Sequence, residues 1–413
     1  MAMKKIIDRL RRGRAGHIFR QTRDRILYVL CVPLFLICIP AILVVRIVRP
    51  WAVIRFGFLF SPRIGHFAAN TEIYLCERDA GLWHKGPRTV DLFYFQRSVC
   101  NRQLARMWKR LLPVSSLIYY LHQANRWIPG WRHHDISLHK IYDSHALIYK
   151  TKPHLRFTAE EESRGYSALR RMGIPGDGAF VCFHSRDTAY LDTVYPTTYW
   201  TYHDHRNSDI KTYLPAMERL AAGGYYAVRM GAVVEDPIKT GNGRIIDYAS
   251  GYRSDFMDIF LPSRCRFFLG STAGYLEVPR IFRTPIAYVN FLPVGYMHTA
   301  SPSDLYIFKK LWLRKEKRLM TFREIFGSGA ASFLYTSDYE KNGIEVIDNT
   351  AGEISDLATE MDARLDKRWT PAPEDDELQA RFWKVFRSYQ PNGVSLARVG
   401  AQFLRDNRGL LDQ

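Results

Sequence analysis

The stretch CRFFLGSTAGYLEVPRIFRTPIAYVN, residues 265–290, decides how the chain is read. A short apolar run ending at Leu269 meets a Gly-Ser-Thr-Ala-Gly turn. A helical pattern follows, and a second apolar run opens at Pro285. Apolar run, small-residue turn, helix and apolar run together make one strand–helix–strand unit, the building block of a parallel sheet. The same alternation extends outward in both directions. GAFVCFHSR, YYAVRMG and PIAYVNFL read as strands, while SDIKTYLPAMERLAAGG, SDFMDIFLPSR and AGYLEVPRIFR read as helices. Residues 176–350 are therefore expected to form a doubly wound α/β domain.

Upstream, residues 56–175 are aromatic and less regular. TVDLFYFQR (89–97) reads as a strand, and NRQLARMWKRLL (101–112) as a helix. TAEEESRGYSALRRMGI (158–174) reads as a helix capped by Thr158. RIGHF (63–67) is expected to be a Gly-His turn. The GIPGDG cluster (173–178) marks the boundary between the halves. After Asp348 two polar helices are expected, near 352–368 and 375–389, within a C-terminal segment 351–413.

The net charge of +18 is unevenly placed: residues 1–55 carry twelve Lys/Arg against Asp8 and Asp24, so ten of the eighteen charges lie there. They flank ILYVLCVPLFLICIPAILVV (26–45), twenty residues without a charge. Pro33 and Pro40 interrupt that segment and basic residues stand at both ends. The expectation is a basic arm with a monotopic or re-entrant anchor on an anionic membrane surface, a single-pass span being the alternative. The corresponding location is the cytoplasmic face of the inner membrane. Charge so concentrated, with no aromatic-basic binding motif, argues against nucleic acid as the partner. Six cysteines without a CxxC pair argue against a disulfide framework or a zinc cluster.

Ligands of doubly wound sheets bind at the carboxyl ends of the strands. There the sequence places Gly270, Ser271, Thr272 and Gly274, small enough to let a phosphate approach backbone N–H groups, although Ser271 or Thr272 capping the next helix is an alternative. FHSRD supplies His184, Arg186 and Asp187, and AVRMG supplies Arg229. Arginine forks suit phosphate recognition. Glu277 is a candidate contact to a sugar or ribose hydroxyl, and Asp258 is expected to face solvent or orient a loop. In the first half, His66 on its glycine turn with Gly65 is the candidate base, with Asn70 and Glu72 as alternatives. YHDHRNSD adds Arg206 and Asn207, expected on the acceptor side; its histidines lack further ligands at zinc spacing. No DxD triplet ends an apolar strand, so neither a metal nor another cofactor is expected.

RIGHFAANTE, HSRDTAYLD, HRNSDIKTYLPAMERL, YAVRMG, IIDYA and RSDFMDIFLPSRCRFFLGSTAG, in that order, resemble an uncharacterised bacterial glycosyltransferase family from surface-polysaccharide gene clusters. The second half is more distantly similar to GDP-fucose fucosyltransferases. The resemblance implies a GT-B fold, two Rossmann-like doubly wound domains facing a cleft, and an inverting, metal-independent hexosyl- or deoxyhexosyltransferase. His184 and Arg186 would match the diphosphate motif, and Gly270, Ser271, Thr272 and Gly274 the later small-residue segment. Asp187 stands where the fucosyltransferase pattern often has a second Arg, which leaves the donor sugar open. The partners implied are a nucleotide sugar and a lipid-linked or polysaccharide acceptor. The competing expectation is a non-catalytic membrane tether of a polysaccharide-assembly complex.

Overall fold

The computed structural model describes residues 22, 25–83, 88–138, 142–194 and 200–412. The basic arm, residues 1–21, lies outside the described residues. The chain divides into two compact units. The first gathers Met1–Tyr142, Thr151–Arg156 and Val194–Tyr199; the second gathers Asp143–Lys150, Phe157–Thr193 and Trp200–Gln413.

The first unit holds α1 (Val32–Val48), β1 (Ala52–Leu59), α2 (Ile64–Asp79), β2 (Arg88–Phe95), α3 (Arg102–Leu111), α4 (Leu117–Arg126) and the two-residue β3 (Asp135–Ile136). Its parallel sheet runs β2-β1-β3. Arg55 and Asp91 face one another in register and form a two-pronged ion pair, 2.6 and 2.7 Å. Gly57 is required where β1 meets β3, since a Cβ there would stand 2.5 Å from the Ile136 carbonyl oxygen.

The apolar N-terminal segment breaks at Cys31, and α1 begins with Pro33 in its first turn, where a missing N–H costs nothing. Phe35 and Ile42 pack against α4, Phe35 lying edge-on to Tyr119 and Trp127. No helix among the described residues is long and apolar enough to cross a membrane.

The second unit is built on a seven-stranded, all-parallel sheet of β4 (Phe180–His184), β5 (Tyr226–Arg229), β6 (Ile245–Asp247), β7 (Phe268–Gly270), β8 (Ile286–Phe291), β9 (Leu305–Phe308) and the short Arg398–Val399 strand. From that last strand the spatial order is β9-β8-β7-β4-β5-β6. The chain thus winds from β4 outward to β6, returns beside β4 as β7, and winds the other way. Strands β7 and β8 are buried throughout, as a sheet covered on both faces requires. The covering helices are locally specified. Thr158 and Glu161 close a capping box on Ala159–Arg171, and Thr350 and Glu353 close another on Ala351–Leu365. The helices expected near 352–368 and 375–389 are Ala351–Leu365 and Asp375–Val385. A small antiparallel sheet (Lys310–Leu313, Arg318–Leu319, Ile344–Ile347) follows β9.

At the start of β9 lies buried Asp304, which accepts the Ile286 N–H (3.0 Å) and the Tyr149 hydroxyl (3.3 Å). Burial pushes its carboxyl up to about 7, despite the opposing hydrogen bonds and Arg280. A carboxyl raised in the folded state binds a proton that the unfolded chain has released, so folding stability falls as pH rises from about 4 to about 7. Asp304→Asn keeps an acceptor for Ile286 and removes that titration. Urea unfolding at about pH 5 and about pH 8 is expected to show a smaller loss in the variant than in the native chain. Equal losses would refute the assignment.

Candidate functional site

The winding reverses between β4 and β7, and at such a switch point the loops diverge and leave a crevice at the carboxyl ends. His184 and Gly270 are register partners there. A Cβ at Gly270 would come within 3.1 Å of the His184 carbonyl oxygen, so the small residue permits the strands' close approach. The Ser271 N–H donates to that same carbonyl (3.1 Å), and its buried hydroxyl accepts the Arg186 N–H (2.9 Å). Thr272 accepts the Leu292 N–H through Oγ1 (3.1 Å). Neither hydroxyl caps the following helix. Ala273 holds the cap position without a side-chain bond, and Gly274–Leu276 is a 3-10 turn leading into the five-residue Glu277–Ile281 helix. Among the described residues, the backbone N–H groups of Thr272, Ala273 and Gly274 donate to no protein group.

Cations gather around this turn. The Arg186 guanidinium donates to the His203 carbonyl (3.0 Å) and to Asn207 Oδ1. Arg206 donates to the Thr272 carbonyl (3.2 Å). Arg206 and Asn207, expected on the acceptor side, therefore join the Arg186 and Thr272 loops of the second unit. Lys309, directly after β9, is a member that the sequence reading missed; it is buried between the Asn207 carbonyl and Asp348, 2.6 Å from each. Its signal was positional: a Lys at the carboxyl end of a fourth strand of the same sheet. Arg229 ends β5 and is held by its register partner Asp247 (3.1 Å). Asp187 is a loop clamp, accepting the Ala189 and Glu235 N–H groups, each at 3.1 Å.

Two histidines register this electrostatic environment. Burial, reinforced by Arg229 and Arg186, lowers His184 to about 3. Burial and then Arg206, His203, Lys309 and Arg186 lower His205 to about 3. Both rings are neutral near pH 7, and the buried His184 Nδ1 has no protein partner among the described residues. His184 can therefore meet a ligand as a neutral imidazole, not as a cation. Burial is the larger cause in both; the cations that add to it, Arg186 and Arg229 at His184 and Arg206, Lys309 and Arg186 at His205, are the groups that favour a phosphate.

Three expectations are narrowed or corrected. Glu277, the candidate contact to a sugar or ribose hydroxyl, is not a free carboxylate. It is paired with Arg280 (2.9 Å) and His298 (3.3 Å), which overcome burial and hold its carboxyl down to about 2. Of the two roles expected of Asp258, facing solvent is excluded and orienting a loop is kept: it is buried and accepts from Tyr248 (2.7 Å) and from Arg253 (2.8 Å) in the loop before its helix. Gly65 and His66 are not a turn but lie in the first turn of α2, where the first N–H groups need no intrahelical acceptor and glycine costs little. The His66 ring packs on Phe60, centroids 4.7 Å apart. On the same helix Asn70 is buried, and neither amide atom has a partner among the described residues. Glu72 is fully buried beside His154 (3.0 Å).

Fold and site together define an α/β protein with a cationic, small-residue turn at the switch point of a parallel sheet. No protein-family profile and no curated protein matches the chain. Among solved structures it is similar to the E. coli ADP-heptose LPS heptosyltransferase II, at 11% identity and TM-score 0.33, over 57% of this chain and 84% of that one. It is also similar to a glycosyl transferase family 9 protein from Veillonella parvula, at 11% identity and TM-score 0.34, over 58% and 81%. A third is the E. coli heptosyltransferase WaaC with ADP-2-deoxy-2-fluoro heptose, at 10% identity and TM-score 0.28, over 57% and 88%. Likeness at this level assigns neither family nor substrate.

Proposed function

We propose that the chain is a glycosyltransferase that moves a sugar from a nucleotide-sugar donor to a lipid-linked or polysaccharide acceptor in bacterial surface-glycan synthesis. The observation that carries this reading is the switch-point turn 270–274, tied to the Arg186 loop by the Ser271 hydroxyl and to Arg206 at the Thr272 carbonyl, with Arg186 and Lys309 both bonded to Asn207 beside Arg206. In the proposed reaction the acceptor oxygen attacks the donor's anomeric carbon from the face opposite the diphosphate. The bond to the diphosphate breaks, its electron pair leaves on the nucleoside diphosphate, and a base takes the acceptor proton. Charge developing on the leaving phosphate is what the cations and the Thr272–Gly274 N–H groups would stabilise, with no metal needed there. His66 remains the proposed base, with inversion as the proposed outcome.

The test is binding of GDP, UDP, ADP, CMP and dTDP to the full chain, with and without magnesium. Selective binding of one diphosphate that ignores magnesium supports the reading. Silence across the panel would leave the turn as a structural tie and favour the tether.

We also propose that α1 seats on an anionic membrane surface without crossing it. Its outer face carries Ile37 (74% exposed) and Ile47 (67%), with Trp51 (72%) beyond its end and exposed Arg49 at the cap, while Arg46 turns inward to Asn125. Such apolar exposure beside a cation fits an interfacial helix. Ile37→Asp with Ile47→Asp should cut binding to anionic vesicles by at least about tenfold in a pelleting assay. Undiminished binding would refute the seat.

A further inference from the structure

One cluster of ligating side chains belongs to the first unit and has no part in the proposed transfer. Glu72 and Cys76, one helical turn apart on α2, are both fully buried, and His154 meets them from a distant segment of the same unit. Among the described residues this is the trio of His, Cys and carboxylate groups whose ligand atoms all lie within 4.8 Å of one another. His154 Nδ1 is 3.0 Å from Glu72 Oε1, and Cys76 Sγ is 4.0 Å from that same oxygen. Tetrahedral zinc, with bonds of about 2.0–2.3 Å, sets its ligand atoms about 3.3–3.8 Å apart. The separations of 3.0 and 4.0 Å bracket that range, and all three pairs lie within 4.8 Å.

The other side of the imidazole points to the same use. His154 Nε2 lies 2.9 Å from Asp79 Oδ2, the last residue of α2. A carboxylate on the distal ring nitrogen is the outer-shell arrangement that orients metal-bound histidines and raises their basicity. Thr151 Oγ1 lies 3.1 Å from Cys76 Sγ and hydrogen-bonds with the thiol. Asp79 is about half exposed, which gives an entry path from solvent.

We infer that Glu72, Cys76 and His154 form a binding site for a zinc-class divalent cation, with Asp79 positioning the imidazole. Thiolate, imidazole and carboxylate together suit zinc rather than magnesium or calcium, which take oxygen ligands. Binding ties α2 to the segment at 151–156 and requires loss of the Cys76 thiol proton and of a proton from His154 Nδ1, both released to solvent. The site is built from residues of the first unit alone, and the diphosphate turn from residues of the second.

The test uses the full chain, stripped with chelator and titrated with Zn²⁺ by calorimetry and with Co²⁺ by absorption spectroscopy. The expected result is a single tight equivalent, with a thiolate-to-cobalt charge-transfer band and the visible bands of tetrahedral cobalt. Cys76→Ser should abolish the charge-transfer band and weaken Zn²⁺ by more than about 100-fold. Asp79→Asn, a change at a half-exposed site that the fold tolerates, should weaken it by about 10–100-fold while keeping the band. A native chain that binds neither ion at micromolar concentrations, or a cobalt spectrum lacking the thiolate band, would overturn the inference and leave the trio as a hydrogen-bonded ion cluster.

Discussion

Replacing Arg186 with alanine is expected to lower turnover of the cognate donor about 10- to 150-fold. That corresponds to about 1.5–3 kcal/mol for one charge-assisted contact to the diphosphate. The residue stands at the switch point, its N–H held by Ser271 and its guanidinium braced by the His203 carbonyl and Asn207. Such bracing orients the fork before the ligand arrives, which reduces the ordering cost of binding. Because alanine also releases the 203–207 loop, Arg186→Lys separates the two contributions. Lysine restores the charge without the planar fork and should recover part of the affinity. The measurements are kcat/KM and the diphosphate Kd for both variants. Turnover within about twofold of native in Arg186→Ala would sink the donor-site assignment.

The largest stability effect is expected at Arg280. Its guanidinium is buried and donates to Glu277 at 2.9 Å, while Glu277 also faces His298 at 3.3 Å. Arg280→Met would strand a buried carboxylate, which costs about 3–5 kcal/mol. Adding Glu277→Gln to Arg280→Met removes the stranded charge and should return a large part of that loss. Urea unfolding of the native chain, the single variant and the double variant measures both. A loss under about 1 kcal/mol in Arg280→Met would mean that water reaches the pair and that Glu277 is open to ligand after all.

Much of the second unit was legible before any coordinates. Strands at 180–184, 226–229 and 268–270 fall where apolar runs end in small or charged residues, the strand at 286–291 falls on the apolar run opened by Pro285, and the intervening helices fall where apolar residues recur at helical spacing. The Thr158 cap was legible because a capping box is a local pattern, complete within four residues. The turn at 64–67 misled because Gly and His together suggest a bend, whereas the apolar and polar residues up to Asp79 carry the helix back through Gly65. The α1 segment was legible as apolar, but its length was not, since the helix break at Cys31 and the packing of Phe35 and Ile42 on α4 depend on neighbours.

The sequence by itself determined the order of strands and helices and the placing of small and cationic residues at strand ends, because periodicity, caps and turns are short-range. It could not determine which charged and polar groups pair. Arg186 with Asn207, Lys309 with Asp348, Glu277 with His298 and Glu72 with His154 are each far apart along the chain. Whether a carboxylate is a free contact or a buried counter-ion depends on desolvation and on the partner brought to it, and both exist after the sheet and its loops have packed.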